Sequence, residues 1–410
     1  MRASALKVAA TFCLAALIAG CGTALSRQAS PDAGIAEKAA VPGLEAVRFW
    51  GDEVPTGNLV QELRKRLPNL GPPTSYSVTA DGRPIIEYLA LSGGGSDGAF
   101  GAGMLAGWSQ RGTRPDFEVV TGVSAGAIIA PFAFLGSRYD KELMEIWTEY
   151  QTSQILTAQV LPGLLGGSSL ADTAPLANLV ARYVDRKLLR EVATEYRRGR
   201  LLLIGTTNLD AQRPVIWNMG EIAVSRHPGA LDLFRQVIMA SSAIPGAFPP
   251  VHIKVETNGQ MVEEMHVDGG VTREVFIAPV QIRLSQFDPL YGGRKPVRHI
   301  YIIKNGKVLP EYDVVTPTTI SIATRAISTL TKSNNQGDIY RIWRMAAESN
   351  AEFSLASVPA CFRLKAKEAF DPQYQRALYR QGFQMGLEGG HWEHRPPELR
   401  RSPLAHCPPL

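Results

Sequence analysis

Strands alternating with helices from Ile85 to about residue 284 predict an α/β fold with a mainly parallel sheet covered on both faces. Three apolar runs carry the strands: "IIEYLALS", "FEVVTG" and "RLLLIGTTNL", each ending in glycines or turn formers. Between them lie helical stretches: "AFGAGMLAGWSQRG", with small residues on one side and a glycine stop; "VSAGAIIAPFAFLG"; and the amphipathic "DKELMEIWTEYQTSQIL". A chain of 410 residues is long enough for one large domain plus additions.

The N-terminus comes first. Arg2 and Lys7 precede an apolar, small-residue run to Gly20, so residues 1–20 read as a secretory signal peptide, too short for a comfortable membrane span. The sequence Leu17-Ile18-Ala19-Gly20-Cys21 resembles the lipobox of bacterial lipoproteins. That resemblance implies cleavage before Cys21, acylation of Cys21 (palmitate among the chains) and a lipid-anchored protein of the bacterial cell envelope. Glycine after Cys21, rather than aspartate, is compatible with onward transport to the outer membrane. The plainer alternative is an ordinary signal peptide with an incidental cysteine.

With Cys13 removed and Cys21 lipidated, Cys361 and Cys407 remain, either as a disulfide that staples the tail to the body or as two free thiols. No CxxC pair suggests zinc. The net charge is +5, or +3 once Arg2 and Lys7 are lost. A mild excess of this kind suits a membrane surface of anionic lipid. The positives are scattered, which gives no support to nucleic-acid binding.

Residues 21–84 are mixed and rich in Pro, Gly and Ala, a tether plus an N-terminal extension. The unit expected over 85–284 continues through "LLGGSSLADTAPLANLVARYV" (loop, then helix) and the alternating strand "QRPVIWNM". "DLFRQVIMASSAIPGAFPPV" is a helix running into a Gly/Pro-rich turn, and "EMHVDGG" is a strand end. Residues 285–410 form a C-terminal extension with one strand, "VRHIYIIKNG", helices around 318–350 and 372–388, and a Pro-rich tail. No internal repeat is visible.

Two motifs carry chemistry. Gly93, Gly95 and Gly98 satisfy G-x-G-x-x-G between a strand and a helix, with an acid about twenty residues on in Asp116 or Glu118, which is the setting of a dinucleotide site. One strand later, Gly122-Val123-Ser124-Ala125-Gly126 is a G-x-S-x-G between strand and helix, where small neighbours allow a sharp turn that exposes the serine hydroxyl. Together the two favour an oxyanion over a phosphate. When Ser124 attacks an ester, backbone N–H groups of the glycine loop meet the developing charge, and the N-terminal dipole of the following helix adds to them. Asp268, in "VDGG", is the candidate base; on its own it reads equally as a turn-forming Asp-Gly pair.

These residues, with "ASSAIPGAFPPV" at 240–251, resemble the patatin-like phospholipase family over about residues 85–280, in the family's order. The resemblance implies a three-layer α/β/α patatin-like fold with a mainly parallel central sheet, here with a C-terminal helical extension. It also implies a serine acyl hydrolase of lipase or phospholipase A type that needs no metal or cofactor. Carried over, Ser124 is the nucleophile, Asp268 the general base, Gly122 and Gly126 the elbow glycines, and Gly93, Gly94, Gly95 and Gly98 the oxyanion loop. The implied partner is a membrane lipid or another acyl ester. One position departs from the family: Asp97 stands where Arg or Lys is common. That departure and the long C-terminal region motivate an alternative, a catalytically weak lipid-binding or scaffolding envelope lipoprotein.

Other residues have plainer readings. A Ser, acid, His triad is open on chain order, since His299, His391, His394 and His406 follow Asp268 and His266 shares its strand face; structural or surface roles are the simpler account. His391 and His394 have a metal-like spacing without a third ligand in view. Asp210 sits in a hairpin turn. The apolar, glycine-broken 155–170 segment is either core or an acyl-contacting lid.

Overall fold

The computed structural model describes residues 29–54, 58–74, 76–158, 169, 171–292 and 294–399. The expected signal peptide, Cys21, His406, Cys407 and most of the 155–170 segment fall outside them. Nine strands form one sheet: β1 Arg48–Trp50, β2 Ile85–Leu91, β3 Val119–Gly122, β4 Leu201–Asn208, β5 Arg213–Asn218, β6 Val251–Thr257, β7 Gln260–Asp268, β8 Val297–Lys304 and β9 Glu352–Ser357. The spatial order is β1-β5-β4-β3-β2-β8-β9, with β7 pairing β4 and β6. The five strands from β4 to β9 run parallel, and β1, β5, β6 and β7 make antiparallel pairs.

The main helices are α1 Leu59–Arg66, α2 Gly98–Arg111, α3 Ala125–Leu135, α4 Asp140–Thr148, α5 Ala174–Tyr183, α6 Arg186–Arg197, α7 Met219–Val224, α8 Ala230–Ser241, α9 Thr319–Glu348 and α10 Pro372–Leu387. Alternation along β2 explains the layering. Leu89 and Leu91 face a core built with α2, α3, α4, α8 and α10; Ile86, Tyr88 and Ala90 face a second core that takes Ile339, Ile342 and Met345 from α9. Both faces are covered, so the predicted α/β class with its mostly parallel sheet holds.

The C-terminal residues are built into this sheet. β8 lies between β2 and the edge strand β9, in register from Val297↔Ile85 to Ile303↔Leu91, and so is an interior strand of the sheet. β9, a strand not expected from the sequence between the helices around 318–350 and 372–388, pairs with it from His299↔Glu352 onward. α10 packs on α2 backbone to backbone: an added Cβ would lie 2.1 Å from Tyr379 O at Gly103 and 1.9 Å from Phe383 O at Gly107. The small residues on one side of "AFGAGMLAGW" permit that approach. At the other end β1, expected within a tether, pairs with β5. Buried Arg48 crosses to Glu264 of β7 and donates to Ala39 O at 2.7 Å. Cys361 is disulfide-bonded.

Candidate active site

β4 brings the two motif residues together. β3 runs beside it from Leu201 to Ile204, ending with Gly122 opposite Ile204. Beyond that end, β7 takes the same flank from the opposite direction, with Asp268 opposite Thr206. The ends of β3 and β7 therefore meet head on, and Ser124, two residues past β3, falls beside Asp268. The Ser124 hydroxyl stands by the Asp268 carboxylate and favours its ionised form, and Gly270 N donates to Asp268 Oδ1 at 2.8 Å.

Ser124 has φ 54° and ψ −122°, a backbone conformation that costs a non-glycine residue about 1–3 kcal/mol and persists only when its surroundings hold it. Three contacts hold it here. Ser241 Oγ accepts from Ser124 N at 3.0 Å and donates to Gly205 O at 2.7 Å. A Cβ at Gly122 would lie 2.4 Å from Gly126 O, and one at Gly126 would lie 2.3 Å from Leu91 O. The turn is too tight for anything larger at either elbow position.

The glycine loop leaves β2 and is clamped from β8. Asn305 donates from Nδ2 to Ser92 O at 2.7 Å, accepts on Oδ1 from Gly101 N at 3.1 Å, and its own N–H donates to Ser92 Oγ at 3.0 Å. Gly94 (φ 157°) lies so close that a Cβ would be 2.0 Å from Asn305 O. Two expected oxyanion donors are already engaged. Gly93 N donates to Glu274 O at 3.2 Å, and Gly98 N closes the short turn onto Gly95 O and Ser96 O. Gly98 instead makes room for Trp147, whose ring would meet a Cβ at 2.2 Å. Among the described residues, the N–H groups of Gly94, Gly95 and Ala125 have no protein acceptor, Ala125 because it opens α3.

Glu274 and Lys304, which no motif announced, complete the site. Both are buried, and Lys304 Nζ lies 3.3 Å from Glu274 Oε1 and 3.5 Å from Gly93 O. Burial raises the pKa of Glu274, and Lys304 opposes the rise. Asp268 is pushed up to about 7, first by burial and then by the like charge of Glu274; its bonds from Ser124 and Gly270 N act the other way. Asp97 rises to about 6 through burial, held back by the Tyr374 hydroxyl, which donates to its Oδ1 at 2.7 Å, and by Lys304. The acid in the glycine loop thus faces a lysine supplied from β8. Lys304 ends β8, and the carboxyl ends of parallel strands are where such a residue is expected to act.

Two cavities open on Ser124. One is apolar, walled by Ile128, Phe132, Trp147, Val180, Ile238 and Phe248, with Ile155 also on it. The other is a wider cleft, largely apolar in surface, that holds the charged Asp268, Glu274, Lys304 and Lys307 and is bordered by α9. Among the described residues, no histidine lines either cavity. His266 is buried between Glu264 (3.0 Å) and Thr206 Oγ1 (3.0 Å), and its pKa is lowered by burial against the pull of Glu264. His299 pairs with Glu87 at 3.1 Å, near the start of β8 and away from Lys304 at its end. His391 bonds Glu388 and His394 bonds Phe353 O, so the two imidazoles have separate partners. Asp210 accepts from Met265 N at 3.2 Å in the turn after β4.

Residues 89–280 match the patatin-like phospholipase family. No curated protein matches the chain. Among solved structures, VipD from Legionella pneumophila aligns over 78% of this chain and 70% of its own, at 10% identity and a TM-score of 0.36. The type III effector protein ExoU aligns over 76% of this chain and 56% of its own, at 14% identity and a TM-score of 0.18. At these scores neither carries an argument about this chain.

Proposed function

Taking residues 89–280 as a patatin-like phospholipase domain, we propose a serine acyl hydrolase that cleaves lipid acyl esters with a Ser124–Asp268 dyad. The observation that carries this reading is Ser124 itself: a strained elbow serine beside the buried Asp268 carboxylate, at the junction of an apolar cavity and a cleft that holds charged residues.

In the reaction, Ser124 Oγ attacks the ester carbonyl while its proton passes to Asp268. A carboxylate of ordinary pKa is a poor acceptor for that proton, and one raised to about 7 is better matched to it. The carbonyl oxygen becomes an oxyanion facing the N–H groups of Gly94, Gly95 and Ala125, at the N-terminus of α3. Collapse breaks the C–O bond, and the departing alkoxide takes the proton from Asp268. Water then attacks acyl-Ser124, giving its proton to Asp268; that proton returns to Ser124 as the fatty acid leaves. The apolar cavity suits the acyl chain, and the cleft that holds the charged residues suits the alcohol side.

We place the enzyme in the cell envelope, anchored through lipidated Cys21 and delivered to the outer membrane, with Cys361 bonded to Cys407. Intact-mass measurement of membrane-extracted protein tests both: acyl chains on Cys21 and a Cys361–Cys407 cross-linked peptide are expected, and an unmodified N-terminus or a different bridge overturns them. The activity is tested on a short chromogenic ester and on phospholipid vesicles, with and without chelator. Chelator-resistant turnover on both is expected; no turnover on either overturns the reading.

A further inference from the structure

The rim of this cleft has an apolar surface that none of the described residues covers. The chain leaves β8 through Asn305 and Gly306 of the site, follows α9 to Glu311, and then projects Tyr312 and Val314, which are 91% and 79% exposed. It returns as α9, whose first four turns stand clear of the core: no described residue of the helix is buried before Asn335. On this free half, Ile322, Ala326 and Leu330 recur every fourth residue and form a stripe beside Ala323 and Ile327. Ile322 is 54% exposed and Leu330 is 66% exposed.

Polar anchors fix the arm from its other side. Arg325 donates to Glu311 O, Lys332 to Leu309 O and Glu311, Gln336 to Val308 O, and Lys365 pairs with Asp313. The apolar stripe is therefore presented outward by design of the contacts beneath it. Ala323 and Ile327 also line the cleft that holds Ser124 and Asp268, and the opposite lip carries the exposed Val271.

We propose that this arm, Tyr312 to Leu330, is a lipid-docking surface that seats the cleft on a bilayer so that an ester passes from membrane to Ser124 without crossing water. The proposal rests on the acyl-hydrolase reading. A bilayer is the occupant because the stripe is continuous with the cleft wall, so the arm's insertion brings the mouth of the site to the lipid. The local charge agrees: Lys307, Arg325, Lys332 and Lys365 outnumber Glu311 and Asp313, which favours an anionic surface. Exposed aromatic and branched apolar side chains beside basic ones are the composition of an interfacial helix.

The test is hydrogen exchange on the full chain with vesicles of three parts phosphatidylcholine to one of phosphatidylglycerol. It is paired with kinetics of the variant Tyr312→Ser, Val314→Gln, Ile322→Gln, Leu330→Gln. These four side chains are exposed and outside both cavities, so the fold and the site are retained. Vesicles are expected to slow exchange in 312–315 and 322–330 of the wild type. In the variant that protection vanishes and vesicle turnover falls roughly tenfold or more, as loss of several inserted side chains requires, while kcat/KM on the soluble ester stays within twofold. Protection elsewhere only, or undiminished vesicle turnover, overturns the proposal. So does protection of the arm that rises with protein concentration in the absence of vesicles, which assigns the surface to a second copy. A wild type inactive on both substrates yet protected at the arm supports the surface and rejects the hydrolase.

Discussion

Replacing Glu274 with glutamine tests the electrostatics of the site. Glu274 Oε2 and Asp268 Oδ1 flank Gly270 so closely that an alanine Cβ there would sit 2.4 Å from one and 3.1 Å from the other, which holds the two oxygens within about 5.5 Å. Two full charges at that distance repel by about 3 kcal/mol at an effective dielectric of about 20. Lys304, 3.3 Å from Glu274, offsets part of this and leaves a net repulsion that raises Asp268. Asp268 must be ionised to accept the serine proton, so kcat/KM on a soluble short-chain ester rises with pH, with a midpoint near 7 in the wild type. In Glu274→Gln the midpoint moves to lower pH, by less than the roughly two units that the uncompensated repulsion would give. The Gly93 N–H to Glu274 O bond belongs to the backbone and survives the change. A wild-type midpoint near 4 refutes Asp268 as the raised base, and an unmoved or alkaline-shifted midpoint in the variant refutes the coupling.

Other consequences follow from the same geometry. Gly94→Ala drives a methyl into Asn305 O and is expected to reduce kcat/KM at least about a hundredfold, the usual effect of losing an oxyanion donor; near-normal kinetics on the soluble ester would show that the loop is not a donor. Arg48→Met leaves Glu264 buried without its main partner, at a cost of about 3–5 kcal/mol read from denaturant unfolding. Burial alone would raise Glu264, but bonds and charge from Arg48 and His266 hold it at about 2. Its contribution is therefore complete above the ordinary carboxylate pKa near 4 and fades as pH falls toward 2, and acid titration of unfolding should show that dependence flattened in Arg48→Met. Tyr374→Phe removes a bond that favours ionised Asp97, so the Asp97 carboxyl, followed by carbon-detected NMR, titrates above its native value of about 6; an unchanged titration breaks the link between them.

Local pattern made part of this molecule legible. G-x-S-x-G between strand and helix located Ser124 because the turn's sterics demand glycines that no neighbouring residue can replace. "VDGG" located Asp268 for the same reason, since a Cβ at Gly269 would lie 2.5 Å from Gly205 O. Which N–H groups remain free could not be read from glycine spacing: Gly93 and Gly98 look like Gly94 and Gly95 in sequence and differ only in their acceptors. Glu274, Lys304 and Asn305 act from segments without motifs, and Ser241, inside "ASSAIPGAFPPV", has a role that only the fold displays. The signal for two of them was present in "VRHIYIIKNG", an apolar strand ending in Lys304 and Asn305; recognising it required knowing that β8 lies next to β2. The same non-local pairing made residues 285–410 look like an appendage when they supply the strand between β2 and β9.

The account stands on the dyad, and the most direct measurement is kcat/KM on the short chromogenic ester for the wild type, Ser124→Ala and Asp268→Asn, each checked for an unchanged unfolding transition. Both variants are expected to lose about a thousandfold or more, since nucleophile and base act as a unit. Full loss in Ser124→Ala with substantial activity left in Asp268→Asn would contradict it and assign the base to another residue.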